Sequence, residues 1–177
     1  MKRFITILAV AVCLILPATA QTDPPFPGKG MTEFVGDMTW TYSGGERTRS
    51  LNGTWFQMTG EKQKTGISIF GSRDSGLTGA GVGPSYQIML GRLAKGALWG
   101  GGTLFALGVD SADVATGAVS FSVNYELYLG RTAAFRVGMR YSELLDIQNS
   151  VAADPINEIT ALFVGFGIWP NQTAPVN

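Results

Sequence analysis

From Met31 to Trp169 large apolar side chains recur at nearly every second position, and this period of two limits the available folds more than any other feature. In MTEFVGDMTWTYS, Phe34, Gly36, Met38, Trp40 and Tyr42 fall on one face, and Glu33, Asp37, Thr39 and Thr41 make up most of the other. Successive side chains of an extended chain point to opposite sides, so the pattern is that of a strand with one dry face. It returns near 48–59, 65–72, 81–92, 97–110, 118–129, 134–145 and 158–169, giving eight strands in all; a count of ten also fits. The 24 glycines are spread through these segments rather than gathered in a linker, which disfavours helices.

Three segments depart from clean alternation, while the fifth strand keeps it. Trp55 and Phe56 are adjacent, which predicts a bulge that changes the parity of the second strand. Pro84 lacks a donor and is expected near a strand end or bulge. The fifth strand sets Trp99, Thr103, Phe105, Leu107 and Val109 against Gly100, Gly102, Ala106 and Gly108, and the first set is taken as the dry face. The eighth is apolar on both parities, with Leu162, Val164, Phe166 and Ile168 assigned outward.

The flanks read differently. MKRFITILAVAVCLILPATA, residues 1–20, has two early cations, a short apolar run and a small-x-small ending, the grammar of a secretory signal cleaved before Gln21. The apolar run is too short for a comfortable helical span. An acylated Cys13 would leave only a stub of signal, so a lipoprotein is disfavoured. Residues 21–30 form a proline-rich leader, 31–169 the strand domain and 170–177 a tail. Without Lys2 and Arg3 the chain carries 11 basic and 13 acidic residues, so no basic field exists to attract nucleic acid.

Alternation alone does not say whether lipid or protein covers the dry face. Three features favour lipid. The cleanest strand, Val119 to Leu129, matches the roughly 9–11 residues that cross a bilayer at a tilt, and its dry face bears no charge. The opposite faces are rich in Gly, Ser and Ala, and only 15% of the chain is charged, too little for a solvated exterior. Trp40, Tyr42, Trp99 and Tyr141 fall toward strand ends, where amphipathic rings meet the two membrane interfaces. The main rival is a soluble periplasmic or secreted ligand-binding barrel of lipocalin-like shape, which requires apolar inward faces.

The signal, the period-two strands, the glycine-rich polar face and the aromatic-bearing last strand resemble the small eight-stranded outer-membrane barrel family, the group containing the OmpA membrane domain and OmpX. The resemblance is one of pattern. It implies an all-β, antiparallel, up-and-down transmembrane β-barrel in a bacterial outer membrane, monomeric, with outer-membrane lipids around it and the barrel assembly machinery as its partner during biogenesis. Chains of that family usually end on the last strand's aromatic, whereas this one continues with PNQTAPVN after Trp169.

With lipid outside, Glu126, Arg136 and Arg140 point into the lumen. A turn over 131–133 sets Glu126 opposite Gly138, with Arg136 and Arg140 as its diagonal neighbours. Glu33, Asp37, Asn124, Gln87 and Tyr128 are candidates to complete the network. An unpaired cation in a narrow lumen is costly, whereas paired with carboxylates it becomes tolerable. The resemblance implies that such internal pairs plug the pore. Catalysis is poorly supported: the chain has no histidine, so neither the usual nucleophile bases nor the commonest metal ligand is present, and no cofactor or metal is expected. A lipid-modifying enzyme using Glu33 and Asp37 is the least favoured reading.

Overall fold

The computed structural model describes residues 27–43, 46–73, 78–93, 95–109, 112–130, 132–145 and 158–170. The expected signal peptide with Cys13, most of the leader and the tail beyond Pro170 lie outside them. Eight strands follow in order: β1 (Thr32–Ser43), β2 (Glu46–Gly60), β3 (Gln63–Arg73), β4 (Thr78–Leu93), β5 (Gly96–Val109), β6 (Ala112–Tyr128), β7 (Ala133–Leu145) and β8 (Glu158–Ile168). Each pairs antiparallel with the next, and β8 returns to β1, Phe34 lying opposite Ile168, so the sheet closes into a barrel. Closure leaves no free edge, and the strands satisfy one another's backbone groups around the ring, as a wall facing lipid requires.

The pleat then sorts the side chains. Phe34, Leu51, Ile67, Ile69, Val82, Leu104, Phe121, Phe166 and Ile168 stand on the outer wall, exposed. Glu33, Asp37, Asn52, Ser68, Gln87, Asn124, Glu126 and Arg136 are buried inside. A lipocalin-like barrel needs the opposite polarity, so that arrangement is excluded for the described wall. Trp40 lies on the outer wall, and Tyr141, on the outward parity of β7, pairs with the exposed Phe121. The side chain of Tyr42 is outside the described residues.

Four local expectations are corrected. Trp55 faces out and Phe56 in with no change of parity; the irregularity of β2 falls later, between Met58 and Gly60, beside the tight turn at Glu61–Lys62. Pro84 sits in the middle of β4, opposite Ile67, and the β4–β5 ladder stops at Val82 and resumes at Ser85, which spares the missing donor. In β5 the faces are inverted: Trp99 is fully buried, Phe105 is buried, and Leu104 and Ala106 face out. GALWGGGTLFALGV is apolar on both parities, so pairing with β4 and β6 decides, and it sets Trp99 beside Met89 and Asn124 on the inner side. Trp99 is therefore a lumen residue and not an interface aromatic. Finally, Glu126 pairs directly with Arg136, and Gly138 with Asn124, two residues from the expected register. The β6–β7 connection closes through a bond from the Leu129 amide to the Ala133 carbonyl, so three residues, 130–132, lie between them, one position earlier than the expected 131–133.

Candidate functional site: an ion-pair layer across the lumen

The lumen is stratified, beginning with an apolar cap at the end of the barrel that carries the short β2–β3, β4–β5 and β6–β7 turns, opposite the end with the long β7–β8 connection. Met58, Met89, Ala97, Trp99, Tyr128, Ala134 and Trp169 form one buried cluster, with Met31 packed against it. The Tyr128 and Trp169 rings meet at 5.6 Å. Backbone bonds from the Gly30 amide to the Met58 carbonyl and from the Met58 amide to that of Met31 tie the end of the leader to this cap. Phe56, Met58 and Trp99 look misplaced on the polar parity until the cap gives them a purpose.

Directly above lies the charged layer. The Lys64 ammonium on β3 donates to Glu33 of β1 at 2.8 Å and to Glu126 of β6 at 2.6 Å. Arg136 of β7 places its Nε 3.0 Å from the same Glu126 oxygen, and its Nη2 donates to the Gln87 amide oxygen of β4 at 3.2 Å. Two carboxylates meet two cations, so the layer is formally neutral, and all four side chains are at most 2% exposed. Lys64 also sits 4.2 Å from the Trp99 ring centroid and 5.1 Å from that of Phe56, which compensates part of its lost hydration. The essential geometry is topological. Strands β3 and β6 are not neighbours, nor are β4 and β7, so the Lys64–Glu126 and Arg136–Gln87 contacts cross the lumen instead of following the wall.

Nearer the long loops a second cluster is built differently. Asp37 accepts from Asn52 at 2.9 Å and from Arg140 Nη2 at 3.3 Å, while Arg140 Nη1 donates to Thr39 at 3.3 Å. The guanidinium lies 5.0 Å from the Phe163 ring centroid and is 19% exposed. This cluster joins β1, β2 and β7 and occupies one sector. Across other strands hydroxyls are linked: Thr54 to Ser68 at 2.7 Å, Ser68 to Ser85 at 2.5 Å, Ser85 to Thr103 at 2.7 Å, and Ser120 to Ser142 at 2.8 Å. Thr103 pairs with Ser120, so hydroxyl residues line six consecutive strands from β2 to β7.

Two glycines make room for the charges. A Cβ at Gly138 would stand 2.6 Å from Asn124 Cβ and 2.7 Å from the Phe163 ring, and one at Gly165 would stand 2.7 Å from Asp37 Cβ. Asn124 itself is 1% exposed, and neither amide atom has a hydrogen-bond partner among the described residues.

The structure thus brings Glu126, Arg136 and Glu33 into one layer and Asp37 and Arg140 into the other; Arg140 does not reach Glu126 as the expected register required. Sequence reasoning missed Lys64, the residue on which the lower layer converges. Its signal was its parity: Lys64, Gly66 and Ser68 alternate with Thr65, Ile67 and Ile69. Starting that strand at 65 left Lys64 in a charged turn. Glu33 and Asp37 belong to different clusters, Glu33 paired with Lys64 and Asp37 with Arg140. Among the described residues no cluster of metal-ligating side chains is present.

A closed, antiparallel, eight-stranded barrel with an apolar wall and a charged, hydrogen-bonded interior is the fold of small outer-membrane proteins. The solved structures agree. The N-terminal β-barrel domain of Pseudomonas aeruginosa OprF superposes with a TM-score of 0.62 at 9% identity, covering 80% of this chain and 98% of that one. The outer membrane protein OprG from Pseudomonas aeruginosa gives 0.51 at 12% identity, over 80% and 97%. A de novo designed transmembrane β-barrel gives 0.53 at 9% identity, over 82% and 99%. No protein-family model matches the chain, and no curated protein matches it.

Proposed function

We propose that this chain is a non-enzymatic, monomeric protein of a bacterial outer membrane whose barrel is a closed structural element, its pore plugged by the Glu33–Lys64–Glu126–Arg136 layer. The observation that carries this reading is that Lys64 and Arg136 reach side chains on non-neighbouring strands, so the layer spans the lumen rather than following the wall. The apolar cap below them adds a second barrier on the turn side. A narrow eight-stranded barrel has room for side chains and little else, which fits a plug better than an open channel. Outer-membrane lipids around the wall, and the barrel assembly machinery during insertion, are the partners that go with this role.

Conductance across planar bilayers tests it. The wild-type barrel is expected to be silent or nearly so, while Lys64→Met and Arg136→Ala produce resolved openings. A wild-type barrel as conductive as these variants would rule out the plug. Whether the mature chain needs detergent and shows a heat-dependent gel shift tests the membrane reading separately; free solubility with no shift would overturn it.

A further inference from the structure

The outer wall holds a feature that the plug does not use. Over β1 to β4, toward the long-loop end, lies an open trough of about 1040 Å³. Met38, Trp40, Leu51 and Ile69 wall it, each 39% exposed or more. Gly53 and Gly71 also line it, and nothing stands within 4 Å of the space that a Cβ on Gly71 would fill.

One cation borders this apolar trough. Arg49 is exposed and shares the outward parity of Leu51 and Trp55 on β2. A charge on the lipid face costs most at the membrane midplane and little at the interface. Arg49 pairs across the sheet with Trp40 on β1, an amphipathic ring of the kind that sits at the headgroup level. From Arg49 to Gln57 the outer face of β2 runs roughly 26 Å along the strand, or roughly 20 Å along the normal at the usual tilt, close to the height of an apolar band. Arg49 therefore marks the upper edge of that band. Directly opposite it on β3 is Arg73, and two residues before it on β2 is Arg47, so three arginines occupy neighbouring register positions at this edge. The described outward positions of β1 to β4 around the trough carry no carboxylate.

We propose that this trough is a binding site for a phosphorylated, multi-acyl glycolipid of the outer leaflet, with Arg49 receiving a phosphate and the glycine-lined trough receiving acyl chain. Charge complementarity at one end and apolar, lipid-facing walls along the rest select an anionic lipid over a neutral one. The proposal rests on the membrane reading and is independent of the plug.

The test uses the full mature chain folded in detergent and native mass spectrometry with bisphosphorylated hexa-acyl lipid A as the probe. One lipid is expected per barrel, held about tenfold less tightly by Arg49→Gln, while the dephosphorylated probe binds both proteins alike and weakly. Gly71→Leu, which fills open space, is expected to weaken both probes by about fivefold. Arg49→Lys serves as a charge-preserving control and retains most of the binding. Equal affinity of wild type and Arg49→Gln, or of phosphorylated and dephosphorylated probe, would overturn the site. So would a phosphatidylglycerol that competes equally, or a protein dimer that excludes the probe. The heat-dependent gel shift is read on every variant, so loss of the barrel is not mistaken for loss of the site.

Discussion

The two charged clusters of the lumen use the same chemistry at different depths. In the lower one Glu33, Lys64, Glu126 and Arg136 are almost wholly excluded from solvent, and the Lys64–Glu126 contact crosses the barrel while Arg136 meets Glu126 from the neighbouring strand. In the upper one Arg140 is partly exposed, and its carboxylate partner is already held by Asn52 on the adjacent strand. Removing one member of the lower layer strands an opposite charge with no water to receive it. Removing Arg140 leaves Asp37 with the Asn52 amide as donor and with the space vacated by a guanidinium that was itself partly exposed. Burial and topology, more than the identity of the pair, decide what each ion pair does.

The largest effect is expected at Lys64. Lys64→Met leaves Glu33 and Glu126 facing each other with Arg136 as the remaining cation, and should destabilise the barrel by about 3–5 kcal/mol. Urea unfolding in detergent or bilayers, followed by the gel shift, measures it. Combining Lys64→Met with Glu33→Gln restores neutrality and should recover more than half of that loss. An undiminished loss in the double variant would mean that packing against Trp99, not charge, holds the layer.

Next comes Gly138→Val, which drives side-chain carbons toward Asn124 and the Phe163 ring between the two clusters; overpacking of this kind costs about 1–3 kcal/mol. It probes the space shared by both layers, and a neutral result would show that the charges do not depend on that gap.

How much of this was legible beforehand depended on whether neighbours in sequence or neighbours in space set the outcome. The strand count, the outward faces of β1 and β6 and the inward parity of Glu126 and Arg136 follow from a period of two, which is local. Trp99 was not legible, because β5 is apolar on both parities and only its register with β4 and β6 chooses a face. Lys64 was hidden for a related reason: a lysine beside Glu61 and Lys62 reads as a solvated turn until the hairpin is known to turn in two residues. Its two partners lie 31 and 62 positions away, on strands that only barrel closure sets around it. The β6–β7 register was missed by two residues because it depends on where the turn is placed, and a displacement of one position converts a diagonal Glu126–Arg136 neighbour into a direct pair.

The smallest effect is expected in the upper cluster. Arg140→Ala should cost about 1 kcal/mol or less, since a partly exposed pair is screened and Asp37 retains Asn52. Because that pair borders solvent, its contribution should fall further as ionic strength rises, whereas the cost of Lys64→Met should hardly change with salt. Conductance should follow the same order: Lys64→Met removes a contact that crosses the lumen, while Arg140→Ala opens one sector above an intact layer. Equal conductance from the two variants would place the constriction at the upper cluster and assign the lower layer to stability alone.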